Sequence, residues 1–129
     1  MKACIIDDST ATRFMIAKIM RELGFITFEA QDGQDALTKL ALNPDTSLVL
    51  VDWNMPVMNG LDFVERARQD GRFKDMKLMM VTTEAELSAV MKALEAGADE
   101  YVMKPFTKEI IADKIRILGL ALGSPTVDR

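Results

Sequence analysis

Short apolar runs alternate along the chain with longer stretches of helical period. ACII (3–6), FITF (25–28), SLVLV (47–51), KLMMV (77–81) and YVM (101–103) are too short for helices and rich in Val, Ile or Phe, which predicts strands. Between them, Phe14, Met15, Lys18, Ile19 and residues 21–23 predict a helix closed by Gly24. Leu37 and Leu40 predict a second helix after Gly33, and Leu61, Val64 and Arg68 a third. Leu87, Val90, Met91 and Leu94 recur at i, i+3, i+4 and i+7 before Gly97, and Ile111, Ile115, Leu118 and Leu122 form a last stripe. Strand-helix alternation of this kind predicts an α/β domain whose parallel sheet is covered on both faces, and the near-continuous apolar strands agree. One domain is expected over 1–123, with the polar 124–129 a short flexible tail.

In such sheets ligands bind outside the carboxyl ends of the strands. Asp7 and Asp8 follow the first run, and Asp52 and Asn54 the third. Thr82, Thr83 and Glu84 follow the fourth, and Lys104 and Pro105 the fifth. The second ends at Glu29 with no evident partner. Each residue has an ordinary structural use: Asp7, Asp8 and Ser9 as helix caps, Thr83 with Glu86 as a capping box, Gly60 as a turn residue of positive φ. Those uses do not predict acids, a hydroxyl and a lysine gathered at one rim. Two carboxylates ~4 Å apart repel by about 4 kcal/mol at an effective dielectric near 20. Three would consume much of a domain's net stability of ~5–15 kcal/mol. A divalent cation with Lys104 beside it offsets that cost, and oxygen ligands with open positions suit Mg²⁺. A carboxylate next to such a cation and a lysine is a nucleophile toward phosphorus.

Composition narrows the chemistry. The chain has 129 residues and no histidine, which removes Ser-His-Asp and Cys-His catalysis and His-based metal sites. A net charge of −4 argues against nucleic-acid or anionic-membrane partners. No apolar run is long enough to span a membrane, no signal peptide is evident, and the lone Cys4 in an apolar run reads as a buried thiol; a cytoplasmic monomer is expected. The ten methionines read as core filler.

IIDDS, LVDWNMPVMNG, MVTTEA and YVMKPFT, in this order, resemble the receiver domains of two-component response regulators, most closely the single-domain CheY type of chemotaxis. The resemblance implies a flavodoxin-like, doubly wound five-stranded sheet of order 2-1-3-4-5 with five helices. It implies that Asp52 accepts a phosphoryl group from a phosphohistidine on a histidine kinase. Mg²⁺ would be held by Asp8, Asp52 and the Asn54 carbonyl, with Asp7 acting through water. Lys104 and Thr82 would hold the phosphoryl oxygens, and Asn54 and Glu84 would tune self-dephosphorylation. Thr82 and Tyr101 would form the switch, presenting the fourth helix, fifth strand and fifth helix to an output protein such as a flagellar motor switch protein. The Lys104–Pro105 bond is cis in the family. The chain would catalyse only its own phosphorylation and dephosphorylation. Asn59 stands where the family more often has Asp, and Thr83 where it favours Ala or Gly, which is expected to narrow access to Asp52.

Other uses of the same resources are a phosphate sink or a phosphorelay shuttle. A haloacid-dehalogenase-type phosphatase also employs a strand-end Asp with Mg²⁺, but needs a second acid two residues on, where this chain has Asn54. A nucleotide- or flavin-binding domain lacks support, since neither G-x-G-x-x-G nor a Walker loop is present.

Overall fold

A computed structural model describes residues 1–53, 55, 57–83 and 87–123, without the Leu87 side chain. Strands β1 (Lys2–Ile6), β2 (Ile26–Ala30), β3 (Thr46–Asp52), β4 (Lys77–Thr82) and β5 (Glu100–Met103) alternate with helices α1 (Thr10–Glu22), α2 (Gly33–Leu42), α3 (Gly60–Gln69), α4 (Leu87–Ala96) and α5 (Lys108–Ile117). All strand pairs are parallel, in the order β2-β1-β3-β4-β5. The five expected strands and helices are all present. A 3₁₀ turn at Gly71–Phe73 carries no periodic signal in the sequence.

Pleating sorts the strand side chains into two cores. Cys4, Ile6, Val49, Val51, Leu78 and Met80 face α2, α3 and α4. Ala3, Ile5, Leu48, Leu50, Met79, Val81 and Val102 face α1 and α5. Because both faces are covered, the central strands are continuously apolar between their polar ends. Cys4 is fully buried, and burial pushes its thiol pKa up, as an inert core cysteine requires.

Helices α1, α2, α3 and α5 begin at polar caps. Ser9, Asp32, Asn59 and Thr107 each accept a backbone N–H from the first turn. Helices α1, α4 and α5 stop alike: Gly24, Gly97 and Gly119 have positive φ, and the next residue's N–H reaches back to the carbonyl of Met20, Ala93 or Ile115. That double closure demands a left-handed residue, which glycine supplies without steric cost.

Two details of the apolar stripes differ from expectation. In α1 the buried residues are Ile16, Ala17 and Met20, whereas Phe14 and Met15 are exposed; Met91 of α4 is exposed too. The last helix ends at Ile117 rather than running to Leu122, because Gly119 breaks it. Leu118, Leu120 and Leu122 continue as an irregular segment on the same core. That segment ends with the Gly123 N–H on the Leu23 carbonyl at 3.1 Å.

Arg68 lies on the inward stripe of α3 because its guanidinium joins separate elements. It donates to the carbonyls of Gly97 (2.8 Å) and Phe73 (3.0 Å) and to Asp99 Oδ2 (2.6 Å). The same Asp99 oxygen accepts the Leu78 N–H at 2.8 Å. Arg68→Met keeps the aliphatic stem and removes every donor. It should lower unfolding free energy by about 2 kcal/mol. The check is a lower urea midpoint at unchanged slope.

Candidate functional site

Strand register assembles the site. Ile6 lies opposite Val51, Asp52 opposite Val81, and Thr82 opposite Met103. Asp7 therefore leaves β1 beside Asp52, and Lys104 leaves β5 beyond Thr82. Three hydrogen bonds extend the ladders past the strand ends, Asp7 N–H to the Ala30 carbonyl (3.1 Å), Trp53 N–H to the Val81 carbonyl (3.1 Å) and Lys104 N–H to the Thr82 carbonyl (2.7 Å). The Lys104–Pro105 peptide is cis.

Asp7, Asp8 and Asp52 each offer a carboxylate oxygen, and these all lie within 4.8 Å of one another. Asp7 and Asp52 are buried, while Asp8 is exposed. Lys104 Nζ stands 3.7 Å from Asp52 Oδ1 and 3.9 Å from Asp7 Oδ2, close enough for ion pairing but too far for hydrogen bonds. Asp7 is held firmly. Its Oδ1 accepts the Ser9 N–H at 2.8 Å, and its carbonyl accepts Arg13 Nη1 at 2.6 Å. Ser9 meanwhile caps α1, accepting the Thr12 N–H at 3.3 Å. The capping role and the cluster role thus coexist, on different residues.

Asp7 Oδ2 is buried without a hydrogen-bond partner. Leaving such an oxygen bare costs about 1–3 kcal/mol or more, and it looks onto two further carboxylates. This donor set fits a hard divalent cation such as Mg²⁺. Burial pushes the Asp7 pKa up; the Ser9 N–H and Lys104 pull it back, and Asp8 raises it again.

Arg13 is a site residue that no spacing in the sequence revealed. Besides gripping the Asp7 carbonyl, its Nε lies 3.3 Å from Glu29 Oε1, which supplies the partner missing at the end of β2.

The loop from β3 to α3 corrects one expectation. Gly60 does not have positive φ; Val57 does, at 67°. Gly60 is required for close approach instead. A Cβ there would come within 2.9 Å of the Asp52 carbonyl and of Trp53 Cα. Gly33 is similar, since a Cβ would meet Met58 at 2.9 Å. Val57 itself is exposed in a conformation that β-branched residues strongly avoid.

Thr82 and Tyr101 lie on the other side of the pleat, toward α4. Thr82 is buried and its hydroxyl donates to the Thr83 carbonyl at 2.8 Å. Tyr101 is half-buried against the core beneath α2, α3 and α4. Asn54, Glu84, Glu86 and the tail 124–129 lie outside the described residues.

Comparison with known proteins agrees with this fold. The model of the response regulator receiver domain matches residues 3–116. The chain belongs to this family. Chemotaxis protein CheY1 of Helicobacter pylori is 41% identical over 119 residues, covering 92% of this chain and 96% of that protein. Chemotaxis protein CheY of Pseudomonas aeruginosa is 40% identical over 116 residues, covering 89% and 93%. Among solved structures, the chemotaxis response regulator CheY4 of Vibrio cholerae superposes with a TM-score of 0.82 at 30% identity, covering 91% of this chain and 97% of that one. This receiver domain has no helix among the described residues long and apolar enough to cross a membrane.

Two predictions follow from the acids and their loop. Because the folded-state pKa of Asp7 is raised, the folded protein holds that proton more tightly than the unfolded chain does. Its stabilising contribution is complete below the ordinary value of 3.8 and is lost as pH rises through the raised one. In chelator, melting temperature should therefore fall across that window, and Asp7→Asn should flatten the fall and be the more stable protein at pH 7. Saturating Mg²⁺ should raise the wild-type melting temperature at pH 7. Separately, Val57→Asn replaces a strained residue by one that accepts positive φ, and should add about 1 kcal/mol in urea unfolding.

Proposed function

We propose that this receiver domain is a phosphoacceptor switch in two-component signalling, with Asp52 as the acceptor. The observation that carries the reading is a buried strand-end carboxylate with Lys104 Nζ at 3.7 Å and two further acids alongside. In the transfer, an Asp52 carboxylate oxygen attacks phosphorus, the bond to the imidazole nitrogen of the donor histidine breaks, and the donor leaves as neutral imidazole after taking up a proton. Lys104 balances charge on the phosphoryl oxygens, and Thr82, released from the Thr83 carbonyl, donates its hydroxyl to one of them. Asp8, Asp52 and the Asn54 carbonyl would hold Mg²⁺, with Asp7 acting through water. When bound, the ion would supply further charge neutralisation for the transferring group. Asn54 and Glu84 would orient the water that later hydrolyses the acyl phosphate.

Movement of Thr82 vacates space on the α4 side, which the Tyr101 ring fills. A charge event at the rim thereby becomes a packing change on the face of α4, β5 and α5. The donor would be a histidine kinase. The names of the relatives support chemotaxis, with an output protein such as a flagellar motor switch protein docking on that face, and a monomer acting in the cytoplasm. A phosphate sink or relay shuttle would employ the same chemistry with a different output. The phosphatase reading lacks its general acid, since Asn54 is an amide.

Acetyl phosphate with Mg²⁺ should add one phosphoryl group, located by mass spectrometry after borohydride trapping at Asp52. Asp52→Asn should abolish the adduct. An adduct on another residue, or an unimpaired variant, would refute the assignment.

A further inference from the structure

Lys114 lies on α5, on the side of the sheet opposite Tyr101. Strand β5 is the sheet's edge, so a side chain from α5 can reach around it. Lys114 does so. Its Nζ stands 3.1 Å from Glu100 Oε1 and 4.6 Å from the centroid of the Tyr101 ring. That same Glu100 oxygen accepts the Tyr101 backbone N–H at 2.9 Å. Backbone, carboxylate, ammonium and ring thus close a circuit around one residue. The Glu100 and Lys114 side chains are 16% and 25% exposed, so the pair is part-buried, and attraction to a ring face strengthens as an ammonium loses water.

We propose that Lys114 is a positioning residue for the switch: anchored by Glu100, it holds the Tyr101 ring in its resting place by a cation–π contact. This rests on the reading of Tyr101 as the mobile element. It adds that the resting position is actively held from α5, and is not merely the position left when Thr82 has not moved. The ring must shed the ammonium to turn, so the strength of this contact sets how much of the resting population is already turned. Lys114 touches neither the acids nor Lys104 and takes no part in phosphoryl transfer.

The chain has a single tyrosine, so 3-fluorotyrosine places one fluorine label on the ring, and a single tryptophan, Trp53, reports the acid site. In resting Lys114→Met the fluorine signal should move toward its position in wild-type protein saturated with beryllofluoride and Mg²⁺. Its H₂O/D₂O shift, which reports ring exposure, should change in the same direction. Loss of a cation–π contact corresponds to roughly a two- to fivefold change in the ratio of ring positions. By reciprocity, beryllofluoride affinity followed by Trp53 fluorescence should tighten by the same factor. Lys114→Arg should stay close to wild type, since a guanidinium also sits over a ring face.

A resting Lys114→Met signal identical to wild type in position and solvent shift would overturn the latch. So would Lys114→Arg departing as far as Lys114→Met, because charge would then not be what holds the ring. A wild-type signal unmoved by beryllofluoride would instead count against Tyr101 as the mobile element, and the latch would be decided by the resting solvent shift alone.

Discussion

Two carboxylates buried side by side at the ends of adjacent strands are the constraint around which this domain is arranged. Apolar cores exclude such a pair unless positive charge comes with it. Here the sheet brings Lys104 to 3.7 and 3.9 Å from Asp52 and Asp7, and leaves one Asp7 oxygen without a hydrogen bond. The compensation is therefore partial. On the proposed reading, a cation and, with it, an anionic phosphoryl group would relieve that deficit. The same deficit that lowers stability would then create the binding site, so that stability and chemistry draw on one set of side chains.

Holding like charges in place needs stiff surroundings, and the contacts behind the site provide them. Arg13 grips the Asp7 carbonyl, the Ser9 N–H grips its carboxylate, and Gly60 lets α3 press directly on the backbone of Asp52 and Trp53. Strain appears alongside, at Val57. Strained backbone persists only where neighbours over-determine it, and here buried Met58, seated on Gly33, follows immediately in the chain.

Most of the frame was legible in the sequence because a sheet covered on both faces leaves an unusually direct record: continuous apolar strands, each followed by its polar end. The acids and Lys104 could be listed from that rule alone, and Gly24 and Gly97 announced their helix ends. What could not be read was anything depending on distant partners. Phe14 and Met15 count as apolar in any periodicity yet face water, since the α1 stripe is set by Ile16, Ala17 and Met20. Arg13 and Arg68 look like surface charges until the carbonyls they reach are known. Gly60 was legible as special, but for the wrong reason, because a close approach across a loop and a left-handed turn select the same residue. Strand order came from family resemblance, as no local pattern encodes which strands are neighbours.

The alternation of side chains across the pleat has a further consequence. Asp7, Asp52 and Lys104 converge at the rim, while Tyr101, on the edge strand β5, packs among the residues beneath α4 with β4 between it and β3. Thr82, at the end of β4, stands between the two neighbourhoods. Substitutions on the outer surface of α4 can thus accumulate without altering those acids or Lys104, which lie on the α1 and α5 side of the sheet. On the proposed reading, a lineage could exchange one listener for another through α4 while keeping its chemistry intact, because the sheet itself is the partition that makes the two heritable apart.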